Sequence, residues 1–317
     1  MKLLLTGPFG NIGSHALPEL LREGHQVRCF DLDTPEHRAA ARKHGRRIEV
    51  LWGDVRDREA LDRAVAGVDA ALHLAAVIPP GSNDDPEQAR AVNVDGTRNV
   101  LEACAALPRK PRVLYTSTFD VHGHTLHKPP PRRVTDPLVA TDPYTEHKIA
   151  AEELVRTSGL EWCIFRLSDV PVIGLRDPHP IMFEIGLDNR IESLHADDAA
   201  VALARALRTP EVWGRILFVG GGPSCQLTYR EYLARMLEAM GIGALPEGAF
   251  SQKEYATDWI DSSEAQALLR YQRRSFDDIV ADVSACLGWK RRLVPVAAPV
   301  VRRAILELSP YWAKRGR

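Results

Sequence analysis

Tyr144 and Lys148 stand four residues apart, as Tyr-x-x-x-Lys, in a stretch with helical patterning, so both project from one helix face. A phenol with an ordinary pKa near ~10 is a poor base at neutral pH, and an ammonium beside it favours the phenolate. Such a pair can give and take the proton that accompanies interconversion of an alcohol and a carbonyl. Any helix with a tyrosine and a lysine can show the same spacing, so the surroundings decide. Thr116-Ser117-Thr118 closes a strand-like run upstream, and open α/β sheets bind ligands at the carboxyl ends of their strands. One of these hydroxyls is expected to hold a substrate oxygen beside Tyr144.

The elements that must position these residues follow from periodicity. Short β-type runs at 3–6, 27–30, 48–52, 70–74, 113–117 and 162–167 alternate with helical patterns near 15–23, 58–66, 87–105 and 144–157. That alternation predicts an α/β fold, a doubly wound parallel sheet with crossover helices on both faces. From Val170 the pattern loosens, and the Pro-, Gly- and Asp-rich stretch 171–194 is expected to cross the ligand cleft. A helix at 197–207 follows, then a strand at 216–219 that returns to the main sheet. Thr228-Tyr229-Arg230-Glu231 has capping-box spacing before a helix that Gly241 closes. Helices near 276–287 and 297–309 complete a smaller, mainly helical lobe.

Thr6-Gly7-Pro8-Phe9-Gly10-Asn11-Ile12-Gly13 follows the first strand and opens a helix. Glycines there let the chain turn tightly and let its backbone approach a pyrophosphate seated on the helix N-terminus. The spacing is GxxGxxG rather than GxGxxG, and alone it also fits an ordinary strand-to-helix turn. Asp31 adds the missing context, because it ends the second strand, where a carboxylate can accept hydrogen bonds from adenosine ribose hydroxyls. The same charge repels a 2′-phosphate, so NAD is favoured over NADP, with Arg28 and Arg38 close enough in sequence to offset that repulsion. Asp54 and Val55 are expected to frame the adenine. Leu74, Ala75 and Ala76 offer compact side chains where the fourth strand passes the cofactor. The predicted division is residues 1–169 plus 195–220 for an NAD-binding domain and 170–194 plus 221–317 for a discontinuous substrate lobe.

With TGPFGNIG from Thr6 and Asp31 come GDV at 53–55, LHLAA from Leu72, NVDGTRNVLEAC from Asn93 and YTSTFDVHG from Tyr115. YTEHK from Tyr144, Arg166 and HADDAA from His195 complete the set. Over roughly residues 1–240 the chain thereby resembles the extended short-chain dehydrogenase/reductase family, also called the NAD-dependent epimerase/dehydratase family. The resemblance implies a Rossmann fold with Gly7, Phe9, Gly10, Asn11, Ile12 and Gly13 around the dinucleotide. It implies Tyr144 as acid/base, Lys148 on the nicotinamide ribose, Thr118 orienting the substrate, and Thr116 and Asn93 on the cofactor side. It also implies a homodimer paired through helices.

Departures from the family pattern narrow the chemistry. Dehydratases of the family carry Thr-Asp-Glu where this chain has Thr118-Phe119-Asp120. Phe119 cannot transfer a proton, so a dehydratase is rejected. Nucleotide-sugar members carry an asparagine three residues after the arginine, where this chain has Asp169. A carboxylate there repels a pyrophosphate unless it is paired or points elsewhere. The segment 169–195 is also short. A smaller substrate, a free sugar derivative or a hydroxy/keto metabolite, fits better. YTSTFDVHG is similar to the hydroxysteroid dehydrogenase branch too. Phe119, Val121, Ile181, Met182 and Phe183 then line an apolar site or, the preferred reading, belong to the core.

Composition sets the outer bounds. The chain has 317 residues, 45% apolar and 26% charged, which excludes disorder as the main state. Its 41 Lys and Arg against 42 Asp and Glu argue against a general nucleic-acid binder. Five scattered cysteines without a CxxC pair argue against a disulfide framework or cysteine zinc site, and with no signal peptide or membrane-length run the expectation is a cytoplasmic protein. His122, His124 and His127 suggest a metal site, yet no carboxylate stands at fixed spacing among them, so a polar loop is preferred and no metal is expected. Gly220-Gly221-Gly222-Pro223 lacks a following Lys-Ser/Thr and reads as a turn into the lobe. Residues 289–317 hold eight Lys/Arg against Glu307, beside an apolar stripe of Ala297, Val300, Val301, Ala304, Ile305 and Leu308. Packing on the chain's own domain or a partner is favoured there over contact with an anionic membrane surface.

The function these signals point to is NAD-dependent interconversion of a secondary alcohol and a ketone on a small substrate. A sugar or nucleotide-sugar epimerase with tightly held NAD is the runner-up. A dinucleotide-sensing protein without turnover is the third reading.

Overall fold

Strands β1 (Lys2–Thr6), β2 (Gln26–Asp31), β3 (Ile48–Trp52), β4 (Ala70–His73), β5 (Arg112–Thr118) and β6 (Trp162–Leu167) lie in one sheet. Strands β7 (Arg190–Glu192) and β9 (Gln226–Thr228) form a separate antiparallel pair, and β8 (Ile216–Val219) completes the main sheet beside β6. The computed structural model describes residues 1–174, 178–289 and 294–312. The main sheet is parallel throughout, in the order β3-β2-β1-β4-β5-β6-β8. Strand order reverses between β1 and β4, which opens a crevice at their carboxyl ends.

Leu3, Leu4 and Leu5 show why the sheet is buried on both faces. Leu3 and Leu5 pack with Leu17 and Leu203 of the helices Asn11–Arg22 and Ala196–Ala206. Leu4 points the other way, against Ala64, Leu101 and Val155 of the helices Arg58–Val65, Thr97–Ala105 and Pro143–Thr157. Side chains alternate along a strand, so a run of three leucines feeds two cores.

The helix expected over 87–105 arrives in three pieces. Pro86–Arg90 and Thr97–Ala105 flank a π-helical turn, Ala91–Gly96. A Cβ on Gly96 would stand 2.6 Å from Val55 Cγ2, so only glycine lets this turn lie on the loop after β3. Such bulges concentrate at functional sites, and this one carries Asn93.

The lobe is less purely helical than expected, because β7 and β9 pair within it. Both strands have three residues, too short to show a two-residue period. The capping box joins Thr228 and Glu231 at the helix Tyr229–Ala239. Gly241 takes φ +75° just beyond it. Helices Phe276–Cys286 and Val294–Glu307 complete the lobe, with Phe183, Tyr229, Phe250 and Ile305 in one of its cores. The helix Ser263–Leu269 lies in the stretch assigned to the lobe, yet Ala265, Leu269 and Tyr271 join the main-sheet core.

Gly220-Gly221-Gly222 turns around a buried carboxylate. Gly222 N donates to Glu192 Oε1 at 3.0 Å, and a Cβ on Gly220 would fall 2.1 Å from that oxygen. In the C-terminal helix Ala298 and Ile305 are buried and Val300 is exposed. Lys290, Arg291, Arg292, Lys314, Arg315 and Arg317, most of the basic charge behind the membrane-surface reading, lie outside the described residues. No helix among the described residues is long and apolar enough to cross a membrane.

Candidate active site

The cleft begins at the glycine loop. Gly7 takes φ +67°, and its amide donates to Phe30 O at 3.1 Å, which carries the chain over the end of β2. A Cβ on Gly13 would stand 2.0 Å from Gly7 O and 2.8 Å from the Pro8 backbone. The loop therefore folds onto its helix only with glycine at 13. A cradle this tight leaves backbone, not side chains, facing whatever sits on the helix N-terminus, which suits a pyrophosphate.

Asp31 lies beside that loop. Its carboxylate accepts from Phe9 N at 3.2 Å and from Leu32 N at 2.9 Å, and His37 Nδ1 stands 3.3 Å away. Burial raises its carboxyl above the ordinary aspartate value. Arg28 and Arg38 both turn elsewhere. Arg28 donates to the carbonyls of Ala64 and Ala66 at 2.7 and 2.8 Å and pairs with Glu49 at 3.0 Å. Arg38 is bidentate on Asp33. Asp54 is paired with Arg56 at 2.6 Å, which holds its carboxyl below the usual range.

A chain of hydroxyls and one imidazole fixes the floor. Thr97 Oγ1 donates to Asn93 O at 2.6 Å, so it accepts from His73 Nε2 at 3.0 Å. His73 Nδ1 is then the acceptor for Thr6 Oγ1 at 2.8 Å. The lone pairs of Thr6 receive the amides of Leu74 and Ala75 at 3.1 and 3.2 Å. Every proton in the chain is assigned by its neighbour. Burial, helped by the charge on Lys148, lowers His73 to about 3, in keeping with a neutral ring. Asn93 is buried behind this wall, and its amide is spent on Val77, accepting from N at 2.7 Å and donating to O at 2.8 Å. It shapes the loop after β4 and is not itself on the cleft surface.

The helix Pro143–Thr157 starts with a proline at its first position and a capping box between Asp142 and Thr145. That start delivers Tyr144 and Lys148 to the ends of β5 and β6. Behind them Arg166 grips Glu152 through two bonds of 3.0 and 2.7 Å, and Ser117 donates to Glu152 at 2.5 Å. Arg166 also donates to His122 Nε2 at 3.0 Å, while His122 Nδ1 donates to Pro137 O at 3.1 Å. Burial lowers His122 to about 4, and Arg166 adds to the effect. His122 is thus spent on structure, His124 is exposed, and His127 lies 3.3 Å from Glu254. Among the described residues no three ligating side chains gather.

Tyr144, Lys148, Thr116 and Thr118 share one cavity of about 720 Å³ with Gly7, Asp31 and Ala75. Lys148 Nζ donates to Thr116 O at 2.8 Å and lies 5.8 Å from the centre of the Tyr144 ring. Burial lowers Lys148 to about 8. Burial also pushes the Tyr144 phenol well up, and the carboxylates of Asp120 and Asp142 push it further. Both effects oppose the phenolate that the spacing to Lys148 favours.

Asp120 was hidden behind Phe119. It lines the cavity, and burial, with Asp142 and Asp169 adding, raises its carboxyl to about 7 against a hydrogen bond from Thr118. The strand end therefore has a carboxyl one residue later than the position Phe119 fills. Phe119 packs with Phe218 and Ile260 and also lines the cavity. Val121 and Phe183 are core, and Met182 packs against the lobe core, whereas Ile181 lines the cavity. Asp169 lines it as well, its backbone bridged to Ser193. Ser168, Tyr255 and Thr257 complete this end. Ser168 lies two residues after Arg166, whereas nothing local marks Tyr255 or Thr257.

Comparison with known proteins follows the same geometry. The model of the NAD dependent epimerase/dehydratase family matches residues 3–182. The 2-alkyl-3-oxoalkanoate reductase of Stenotrophomonas maltophilia is 30% identical over 267 residues, covering 76% of each chain. The UDP-glucose 4-epimerase of Lacticaseibacillus casei is 32% identical over 177 residues, 54% of this chain and 52% of that one, so the chain spans about half the length of such relatives. A dTDP-glucose 4,6-dehydratase from Streptomyces venezuelae, solved with NAD bound, superimposes with a TM-score of 0.78 at 25% identity, covering 92% of this chain and 98% of that one. With more than half of its length matched by the family model, the chain belongs to the NAD dependent epimerase/dehydratase family.

Proposed function

We propose that the protein is an NAD-dependent dehydrogenase/reductase that interconverts a secondary alcohol and a ketone on a small substrate. The observation that carries this reading is the placement of Tyr144 and Lys148, both in the cavity that begins at the glycine cradle and Asp31. NAD, when bound, supplies the hydride chemistry. The loop from Gly7 to Gly13 holds its pyrophosphate, and Asp31 accepts from its ribose hydroxyls. Lys148 holds the second ribose while remaining fixed to Thr116. Thr118 orients the substrate oxygen, and Tyr144 gives that oxygen its proton. A phenol that stays protonated at neutral pH is poised for ketone reduction.

Substituting Tyr144→Phe tests the assignment. Turnover should fall roughly a hundred- to ten-thousand-fold, with NAD affinity within about twofold of the parent. Undiminished turnover rejects Tyr144 as the acid. Similarity to UDP-glucose 4-epimerases keeps one rival in view. An epimerase returns its hydride and gives no net reduced nicotinamide in near-ultraviolet absorbance, whereas a dehydrogenase accumulates it. NAD binding without turnover of any alcohol or ketone supports the sensing alternative. The homodimer that the family resemblance implies is checked by sedimentation.

A further inference from the structure

We infer that Tyr115 is a positioning residue of the site, its buried ring forming the platform on which the Lys148 ammonium is seated and kept charged. This rests on the oxidoreductase reading and deepens the role of Lys148 within it.

Strand β5 sends Val113, Tyr115 and Ser117 to the face covered by the helix Pro143–Thr157, because side chains alternate along a strand. Val113 and Tyr115 share a core there with Ala151 and Val155 of that helix, and Ser117 bonds its Glu152. Tyr115 is 1% exposed and lies behind the cavity wall, whereas Lys148 is part of that wall. Lys148 Nζ stands over the Tyr115 ring, 4.8 Å from its centre, within the range where a cation is drawn to the negative face of an aromatic ring. The carbonyl of Thr116, next along the strand, accepts from the same ammonium at 2.8 Å. One strand thus supplies both contacts, and Tyr115 acts on the site through Lys148.

The other groups around the ammonium do less. Tyr144 and Glu152 face it from its own helix, and His73 from β4. The Tyr144 ring centre is farther, at 5.8 Å. Glu152 favours the charge, yet it already accepts two bonds from Arg166 and one from Ser117. His73, lowered to about 3, brings no second cation to the ring, and its imidazole braces Tyr115 with ring centres 5.7 Å apart. Burial pushes the Tyr115 phenol well up, so it meets the ammonium as a neutral ring and not as a phenolate. Burial also brings Lys148 down to about 8, close to neutrality, where a ring face that favours the ammonium in a dry site decides whether the charge persists.

The test follows Lys148 by NMR in the full chain labelled at lysine Cε, its resonance assigned by its loss in Lys148→Met. In the parent, the Lys148 Cε protons should lie upfield of those of the other lysines, shifted by the ring beneath them, and should stay there in Tyr144→Leu. Tyr115→Leu should abolish that shift and lower the titration midpoint of Lys148 by about one pH unit. The pH at which NAD binding weakens should move down with it. Tyr115→Phe keeps the ring face and should leave all three at parent values. Should Tyr115→Leu not fold, Tyr115→Met is read in its place. An ordinary chemical shift in the parent overturns the inference, as does a midpoint that stays in Tyr115→Leu or moves equally in Tyr115→Phe. None of these readings uses a substrate. If they come out as expected while no alcohol or ketone is turned over, the oxidoreductase reading falls and the seat of Lys148 on Tyr115 stands.

Discussion

The Lys148 ammonium donates to the backbone carbonyl of Thr116 at 2.8 Å, which ties the helix Pro143–Thr157 to the carboxyl end of β5. A buried ammonium survives only with such a partner, and Glu152 one helical turn on supports it. The bond registers Tyr144 against Thr118, so Lys148 positions the site as well as holding a ribose.

Substitution of Lys148→Met should therefore weaken NAD binding about tenfold or more and lower turnover further still. A second readout isolates the charge. Burial lowers Lys148 from 10.5 to about 8. Between those values the unfolded chain binds the extra proton, so this group makes stability rise with pH across the window. Urea unfolding of parent and variant should diverge by on the order of 3 kcal/mol over that range. Parallel curves would mean that Lys148 is not desolvated.

Gly13 and Gly10 predict opposite outcomes for one change. Gly13→Ala drives a methyl to 2.0 Å from Gly7 O, and backbone must move. NAD affinity should fall tenfold or more, with about 1–3 kcal/mol of stability lost. Gly10→Ala meets only Gly7 O, at 3.5 Å, and should leave the melting temperature of the ligand-free protein unchanged. Equal destabilisation by both would remove the steric account of the cradle.

Much of this architecture was legible because the signals were local. Leu3-Leu4-Leu5, the Thr228/Glu231 box and the return of 216–219 to the sheet all follow from periodicity and caps. What escaped depends on tertiary surroundings. The burial and the neighbouring Asp120 and Asp142 that push the Tyr144 phenol up are invisible in its spacing to Lys148. Asp120 follows an inert phenylalanine, and only its place in the cavity wall marks it as a site residue. Thr257 and Tyr255 reach the cleft from a strip that long-range partners locate, Asn189 for Tyr255 N and Arg190, Arg132 and Thr125 for Asp258. The helix Ser263–Leu269 crosses back to the main core because Tyr271 bonds Gly220, a contact over 51 residues.

Asp31 should govern the choice of dinucleotide. Arg28 and Arg38 are both engaged away from it, so neither offsets its repulsion of a 2′-phosphate. Asp31→Ser removes the repelling charge and a ribose acceptor together. The expected result is about a tenfold loss of kcat/KM with NAD and a comparable gain with NADP. Steady-state kinetics with both dinucleotides checks it, and an unchanged ratio would place the determinant elsewhere.

Asp120 should set the pH dependence of substrate binding. Burial, with Asp142 and Asp169 adding, raises it from 3.8 to about 7, so the folded chain binds the extra proton between those values. This group consequently makes stability fall as pH rises through the window. For a substrate hydroxyl the effect reverses, because the carboxylate accepts a stronger, charge-assisted bond than the acid. KM for the alcohol substrate should therefore decrease several-fold as pH rises through 7. Glu192 is raised to about 7 too, but it bonds Gly222, Gln226 and Ile260 away from the cavity wall. Asp120→Asn should flatten the KM profile, whereas Glu192→Gln should change only the stability profile. If the Glu192 variant alone flattens KM, the titrating group that faces the substrate is not Asp120.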